Sequence, residues 1–283
     1  MINAAKRVVK KVFEAAGLEI HRRQPRAENV EEVINSAFDE QNIIREYLQQ
    51  LLLQEPRCCV DIGASDGVSC SNSYALFRSG WSGLAVECDG EKFAALSSRL
   101  KGSAGVSLSR CRVTPDNVVM LLSAHGVPRE FSFLSLDIDG YDHFVLESIL
   151  QSFRPSLICS EINEKIPPPI KFTVKWDPSY RWATDHFYGQ SIEQLARLSA
   201  QHNYALVRLE FNNAFLIPQK ICPVPALTPE EAYRKGYVER PDRKEKLPWN
   251  ADMETLLTLP PEEALQFILG RFAKYEGKFI CEL

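Results

Sequence analysis

An acid sits at or near the end of each of two short apolar runs in this 283-residue chain. The first is Val60-Asp61-Ile62-Gly63-Ala64-Ser65-Asp66-Gly67, and twenty residues on comes Leu84-Ala85-Val86-Glu87-Cys88-Asp89. In a Rossmann-like unit a glycine-bearing turn lets backbone N–H groups approach a nucleoside, and the second acid accepts hydrogen bonds from a ribose diol. Two later runs also end in carboxylates, at Asp137-Ile138-Asp139-Gly140-Tyr141-Asp142 and Glu161-Ile162-Asn163-Glu164. Asp137 and Asp139 share a face if extended, and close carboxylates repel unless a cation or proton lies between them. A divalent metal held by Asp137 or Asp139 with Glu161 or Asn163 is one reading, and hard oxygen ligands would suit magnesium or calcium. The preferred alternative gives one acid to a cofactor and leaves Asp142 to cap a following helix.

These residues need a scaffold that gathers strand ends. Apolar runs at Cys58–Ile62, Gly83–Glu87, Val106–Arg110, Phe131–Asp137 and Ser156–Glu161 read as strands. They alternate with helices at Asn72–Ser79, Glu91–Lys101, Asp116–His125 and His143–Gln151, the order of a parallel sheet. Near-continuous apolar strands imply a sheet covered on both faces. A helix from Ser191 follows, then strands Tyr204–Phe211 and Ala214–Pro218 around an Asn212-Asn213 turn, an antiparallel hairpin unlike the usual dehydrogenase. The expectation is an α/β, Rossmann-like fold with a mostly parallel seven-stranded sheet and a C-terminal hairpin. Residues 1–55 read as an N-terminal helical region with a helix at Glu31–Gln54, 56–220 as the core and 221–283 as a helical extension.

Hydrophobic content of 45% is ordinary for a globular chain, and a net charge of −4 offers no basic field for nucleic acid. The eight cysteines form no CxxC pair, which argues against structural zinc and for a reducing cytoplasm. No apolar run is long enough to span a bilayer. Ala5, Val8, Val9, Val12, Phe13 and Ala16 recur at helical spacing opposite Lys6, Arg7, Lys10 and Lys11. The preferred reading is a helix packed on the domain or on a second subunit of a homodimer. The alternative is peripheral contact with an anionic membrane surface.

The choice of nucleoside turns on charge. A pyrophosphate-binding turn favours Gly-x-Gly-x-x-Gly, whereas Gly63-Ala64-Ser65-Asp66-Gly67 carries an acid at its heart. An aspartate facing phosphates is repulsive, but one facing a sulfonium and an α-ammonium is favourable. S-adenosylmethionine is therefore preferred over NAD. Taken together, VDIGASDG, GLAVECD, CRVTPDNV, FSFLSLDIDGYDHFVLESIL and PSLICSEIN, in order over residues 58–163, resemble the class I S-adenosylmethionine-dependent methyltransferases. More narrowly they resemble FkbM-type and related small-molecule enzymes, with NNAFLIP extending the match.

The resemblance implies that Asp61, Gly63, Ala64 and Gly67 line the methionine and ribose portion and that Glu87 holds the ribose hydroxyls. Ser65 and Asp66 complete the turn, with Ser65 standing where many such enzymes have a glycine. Asp89, Val113 and Thr114 would flank the adenine, and Asp137 would lie near the transferring methyl group and the α-ammonium.

Methyl transfer to a hydroxyl requires alignment, exclusion of water and removal of a proton. The insertion at 166–190 (IPPPIKFTVKWDPSYRWATDHFYG from Ile166 to Gly189) is expected to overhang the site. Trp176, Tyr180, Trp182, Phe187 and Tyr188 could stack on a sugar or aromatic ring, and Lys171, Lys175 and Arg181 could meet an acidic group. His186, beside Asp185, is the expected general base, with Asp139 or Glu161 orienting it or sharing the role and His143 in reserve. The expected activity is O-methylation of a glycan or other polyhydroxylated small molecule, in keeping with membrane-borne polysaccharide synthesis. Natural-product O- or N-methylation is the alternative, and a cofactor-binding module without turnover is disfavoured by the intact acids. Nucleic-acid methylation is disfavoured too, with no Asn-Pro-Pro-Tyr motif by the fourth strand.

Overall fold

The computed structural model describes residues 33–51 and 57–283, so the expected basic helix and the 21–29 linker lie outside the described residues. Strand alternation divides the core. In β1 (Cys58–Ile62), Cys58, Val60 and Ile62 join one buried cluster while Cys59 joins another, because successive side chains point to opposite faces. β2 (Ser82–Glu87) splits likewise, with Leu84 and Val86 on the first face and Ala85 on the second.

With β3 (Val106–Arg110), β4 (Glu130–Leu136) and β5 (Arg154–Glu161), these strands run parallel. The hairpin of β7 (Tyr204–Glu210) and β8 (Asn213–Pro218) closes the sheet, with β8 antiparallel to β5. The resulting order is β3-β2-β1-β4-β5-β8-β7, a mostly parallel seven-stranded Rossmann-like sheet ending in an antiparallel hairpin. Both faces are covered. Helices α1 (Glu40–Gln50), α2 (Tyr74–Arg78) and α3 (Gly90–Arg99) pack through Ile43, Phe77 and Leu96 on one side. Helices α4 (Val118–Ala124), α5 (Asp142–Ser152) and α6 (Ile192–Gln201) pack through Leu122, Ile149 and Leu195 on the other.

Two expectations need correction. The first helix begins at Glu40 rather than Glu31, and residues 33–39 are irregular. There Glu40 accepts the Phe38 N–H at 2.7 Å and Gln41 the Asn35 N–H at 3.0 Å, so side chains of the first turn satisfy the chain that precedes it. The C-terminal extension is not wholly helical. After α7 (Pro229–Tyr233), α8 (Arg243–Lys246) and α9 (Pro261–Arg271) it ends in β9 (Phe279–Glu282). That strand pairs antiparallel with β6 (Lys171–Val174), inside the insertion. Phe172 and Phe187 of the insertion share a third buried cluster with Met253, Ile268 and Phe272. What the sequence suggests is an overhanging loop is a lobe clasped by the chain's own C-terminus.

Among the described residues no helix is long and apolar enough to cross a membrane. All eight cysteines are free, and Cys58, Cys59 and Cys159 are buried in the sheet as small hydrophobes.

Candidate functional site

The carboxyl ends of the parallel strands open into a cavity of about 510 Å³, where doubly wound sheets bind ligands. Asp61, Gly63, Ala64 and Ser65 enter it from the end of β1, Glu87 and Asp89 from β2, and Val113 from beyond β3. Asp137 and Asp139 enter beyond β4. Asp66, Gly67, Thr114, Glu161 and His186 do not line it.

Glu87 organises the nucleoside side. It is buried, and its Oε2 accepts the Ser65 N–H at 2.9 Å while Oε1 accepts the Asp89 N–H at 2.7 Å. One carboxylate thus ties together the two loops that flank the cavity. Ser65 tolerates the glycine-like position by adopting φ +50°. Beside it, Asp61 is buried and accepts a short hydrogen bond from Ser73 Oγ. Burial pushes Asp61 up to about 6, against the pull of that hydroxyl.

Asp66 corrects an expectation. It does not line the cavity, and its carboxylate instead accepts the N–H groups of Val68 (2.9 Å) and Ser69 (2.8 Å) and pairs with Arg99. Its slight burial would raise its pKa, but these bonds hold it well below the usual carboxylate range. A short acid followed by two free N–H groups closes its own turn before it can serve a partner. Gly67 serves packing, since a Cβ there would lie 2.5 Å from Leu96 Cδ1 of α3. Thr114 is engaged locally with Asn117 at the start of α4.

At the other end of the cavity Asp142 is fully buried and accepts the N–H groups of Ile138 and Gly140, both at 2.9 Å. It shapes the turn instead of capping the helix, and that turn holds Asp139 at φ +53°. Burial first, then the charges of Asp139 and Asp142, push Asp137 up to about 8. Glu161, at the end of β5, is raised well above its ordinary value by burial and by Asp137. The carboxylates of Asp137, Asp139 and Glu161 offer oxygens within 4.8 Å of one another. Asn163 is fully buried nearby, but its amide donates to the carbonyls of His186 (2.8 Å) and Tyr188 (3.0 Å) and so pins the insertion.

Neither His186 nor His143 lines the cavity. His186 Nε2 bonds Asp252 Oδ1 at 2.9 Å, drawn by a C-terminal carboxylate that lies far off in sequence. His143 is buried between Gln190 (3.1 Å) and Gln194 (3.3 Å), and burial lowers its pKa. The aromatic wall is also smaller than expected. Tyr180 and Trp182 line the cavity, as does Arg181. Phe187 stacks on Tyr275 at 3.8 Å, Tyr188 is buried against Glu164 and Lys165, and Trp176 packs on Tyr141. Lys171 pairs with Glu282, and Lys175 donates to the Gly277 carbonyl.

Sequence reasoning misses Arg112, just past β3. Its guanidinium donates to the Pro178 carbonyl at 2.9 Å, to the Tyr180 carbonyl and to Tyr141 Oη at 3.1 Å. It therefore straps the insertion over the cavity. Arg112→Ala should free residues 176–182, and trypsin cleavage after Arg181 should accelerate by at least about tenfold, the loss expected for a few partly exposed charge-assisted bonds. An unchanged cleavage rate would show that the lobe is held by its own core.

Asp61 supplies a pH test. Its raised pKa means that its contribution to stability is fully present below the ordinary value of 3.8 and is lost as pH rises through about 6. Asp61→Asn should therefore gain about 2 kcal/mol of stability relative to wild type between pH 4.5 and pH 7.5. Urea denaturation at the two pH values checks it; a gap that does not move rejects the buried-acid account.

No family model matches the chain, and no curated protein matches it in sequence. Among solved structures it is similar to a SAM-dependent methyltransferase from Aquifex aeolicus, with 11% identity, a TM-score of 0.37 and coverage of 64% of this chain and 90% of the other. It is similar to the N-terminal domain of EvdMO1 with SAH bound, at 10% identity and TM-score 0.42, covering 75% and 96%. An O-methyltransferase from Bacillus cereus in complex with SAH gives 15% identity and TM-score 0.41, covering 73% and 86%. At these scores the likeness carries no functional weight, so the chemistry has to come from the site itself.

Proposed function

We propose that the chain is an S-adenosylmethionine-dependent O-methyltransferase acting on a sugar, glycan or other polyhydroxylated small molecule. The observation that carries this reading is the set of carboxylates at three adjacent strand ends, Asp61, Glu87 and Asp137, all lining one cavity. Among the described residues none of the three forms an ion pair with a lysine or arginine. A cation can offset the burial and mutual repulsion that raise Asp137, whereas a pyrophosphate would add to them, so such a wall favours a positive group. The charge argument that the sequence placed on Asp66 thus passes to these three acids.

The cofactor supplies a methyl group on a sulfonium, already activated for in-line displacement. Glu87 would hold the ribose hydroxyls with the lone pairs its two backbone partners leave free, and Asp61 and Asp137 would face the amino-acid portion. Val113 offers a buried apolar contact for the base. Tyr180 and the strap from Arg112 close the acceptor side and exclude water. The Asp139 carboxylate, partly open to the cavity, takes the proton from the acceptor hydroxyl as the O–C bond forms. Burial raises its pKa although Lys92 pulls the other way, which suits a base near neutral pH. Tyr180 and Trp182 suit the apolar face of a sugar ring, and the finer FkbM-type reading rests on the sequence blocks. Calorimetry with S-adenosylhomocysteine tests the cofactor, and transfer of a labelled methyl group to a panel of polyols and glycan precursors tests the acceptor. Absence of S-adenosylhomocysteine binding would remove the whole reading.

A further inference from the structure

Three acids meet where β4 and β5 end, and only the more distant charges of Lys92 and Lys165 act against theirs, at Asp139. Asp137 and Asp139 line the cavity, and Glu161 stands behind them with 6% exposure. Glu161 Oε1 accepts the Asn212 amide at 3.0 Å, whereas Oε2 is buried with no N–H or hydroxyl donor, and the Asp137 carboxyl lies within hydrogen-bonding reach of Glu161. Among the described residues no lysine, arginine or histidine forms an ion pair with any of the three acids, and the neighbouring Lys165 is committed to Glu164 at 2.9 Å. A buried carboxylate oxygen without a donor is costly. The arrangement calls for a positive ligand held by the group.

We propose that Asp137, Asp139 and Glu161 bind a hard divalent cation at the acceptor end of the cavity. All three ligands are carboxylate oxygens, which favour magnesium, calcium or manganese over softer metals. The spacing agrees. Oxygens on opposite sides of a calcium ion are about 4.6–5.2 Å apart, and about 4.2 Å for magnesium. The three oxygens lie within 4.8 Å of one another, near enough for one such ion to be shared by all three. Resting on the methyl-transfer reading, the cation would face the acceptor through the open side of Asp137 and Asp139. There it would bind two neighbouring hydroxyls of a polyol and ease loss of the proton from one of them. The second oxygen of Asp139 stays free to take that proton.

The test uses protein stripped with chelator and titrated with Mn2+, reading free Mn2+ by its paramagnetic resonance signal. Wild type should bind one Mn2+ per chain and release it to excess Mg2+ or Ca2+. Asp139→Asn and Glu161→Gln should each weaken binding by at least about tenfold. Asp139 is only partly buried, so its variant keeps the test decisive if the buried Glu161→Gln fails to fold. No saturable Mn2+ binding, or equal binding by wild type and the folded variants, overturns the proposal; a proton shared by Asp137 and Glu161 would give the first result. Calorimetry with S-adenosylhomocysteine in chelator separates the two readings. Binding there with no Mn2+ uptake removes the cation alone, whereas no binding removes the methyl-transfer reading on which its role depends.

Discussion

Glu87→Ala should weaken S-adenosylhomocysteine binding by at least about a hundredfold in calorimetry, the effect of losing two hydrogen bonds to a charged group at roughly 1.5–3 kcal/mol each. Glu87 is 7% exposed, and each of its oxygens already holds one backbone N–H, from Ser65 or Asp89. On the proposed methyl-transfer reading each oxygen keeps a lone pair for one ribose hydroxyl, and the burial that keeps water away strengthens both bonds. Truncation also releases the Ser65 and Asp89 loops, which adds an ordering cost to binding. Glu87→Gln separates these effects. It preserves shape but turns an NH2 toward one of the two N–H groups, so its loss should fall between wild type and alanine. Equal affinity in wild type and Glu87→Ala, with both folded by circular dichroism, would place the ribose elsewhere.

Glu87 was legible because strand ends are local information. A near-continuous apolar run that stops at or beside an acid marks the mouth of a parallel sheet, and Asp61, Glu87, Asp137 and Glu161 all carry that mark. What those side chains do after the strand stops is not local. Asp66 turned to its own loop, where two N–H groups lay within reach. His186 was drawn to Asp252, 66 residues on. The clasp of β6 by β9 depends on a strand of four residues at the end of the chain, too short for an alternating pattern to announce it. Arg112 carries no sequence signal because its acceptors, the Pro178 and Tyr180 carbonyls, are backbone groups that every sequence has. The sequence read well where the fold repeats a period and poorly where a side chain chose among distant partners.

Gly63→Ala should abolish S-adenosylhomocysteine binding and cost the fold several kcal/mol, about 4 or more, since both backbone strain and a backbone clash are involved. Gly63 has φ +92°, and a Cβ there would lie 1.6 Å from the Asp137 carbonyl oxygen and 2.7 Å from its carbon. Neither neighbour can yield. The N–H groups of Gly63 and Ala64 both donate to the Val86 carbonyl, at 3.0 and 2.9 Å, and the Asp137 N–H donates to the Ile62 carbonyl at 3.0 Å. A methyl group would therefore prise β1 from β4 at the point where Asp61, Glu87 and Asp137 converge. Two other glycines calibrate the effect. Gly80→Ala, at φ +94° with nothing within 4 Å, should cost about 1 kcal/mol of strain alone. Gly67→Ala, whose contact is the mobile end of Leu96, should fall between the two. Urea denaturation of the three variants should rank them Gly63, Gly67, Gly80 from most to least destabilised. A Gly63→Ala protein of wild-type stability that binds S-adenosylhomocysteine would mean that the crevice does not depend on this close approach.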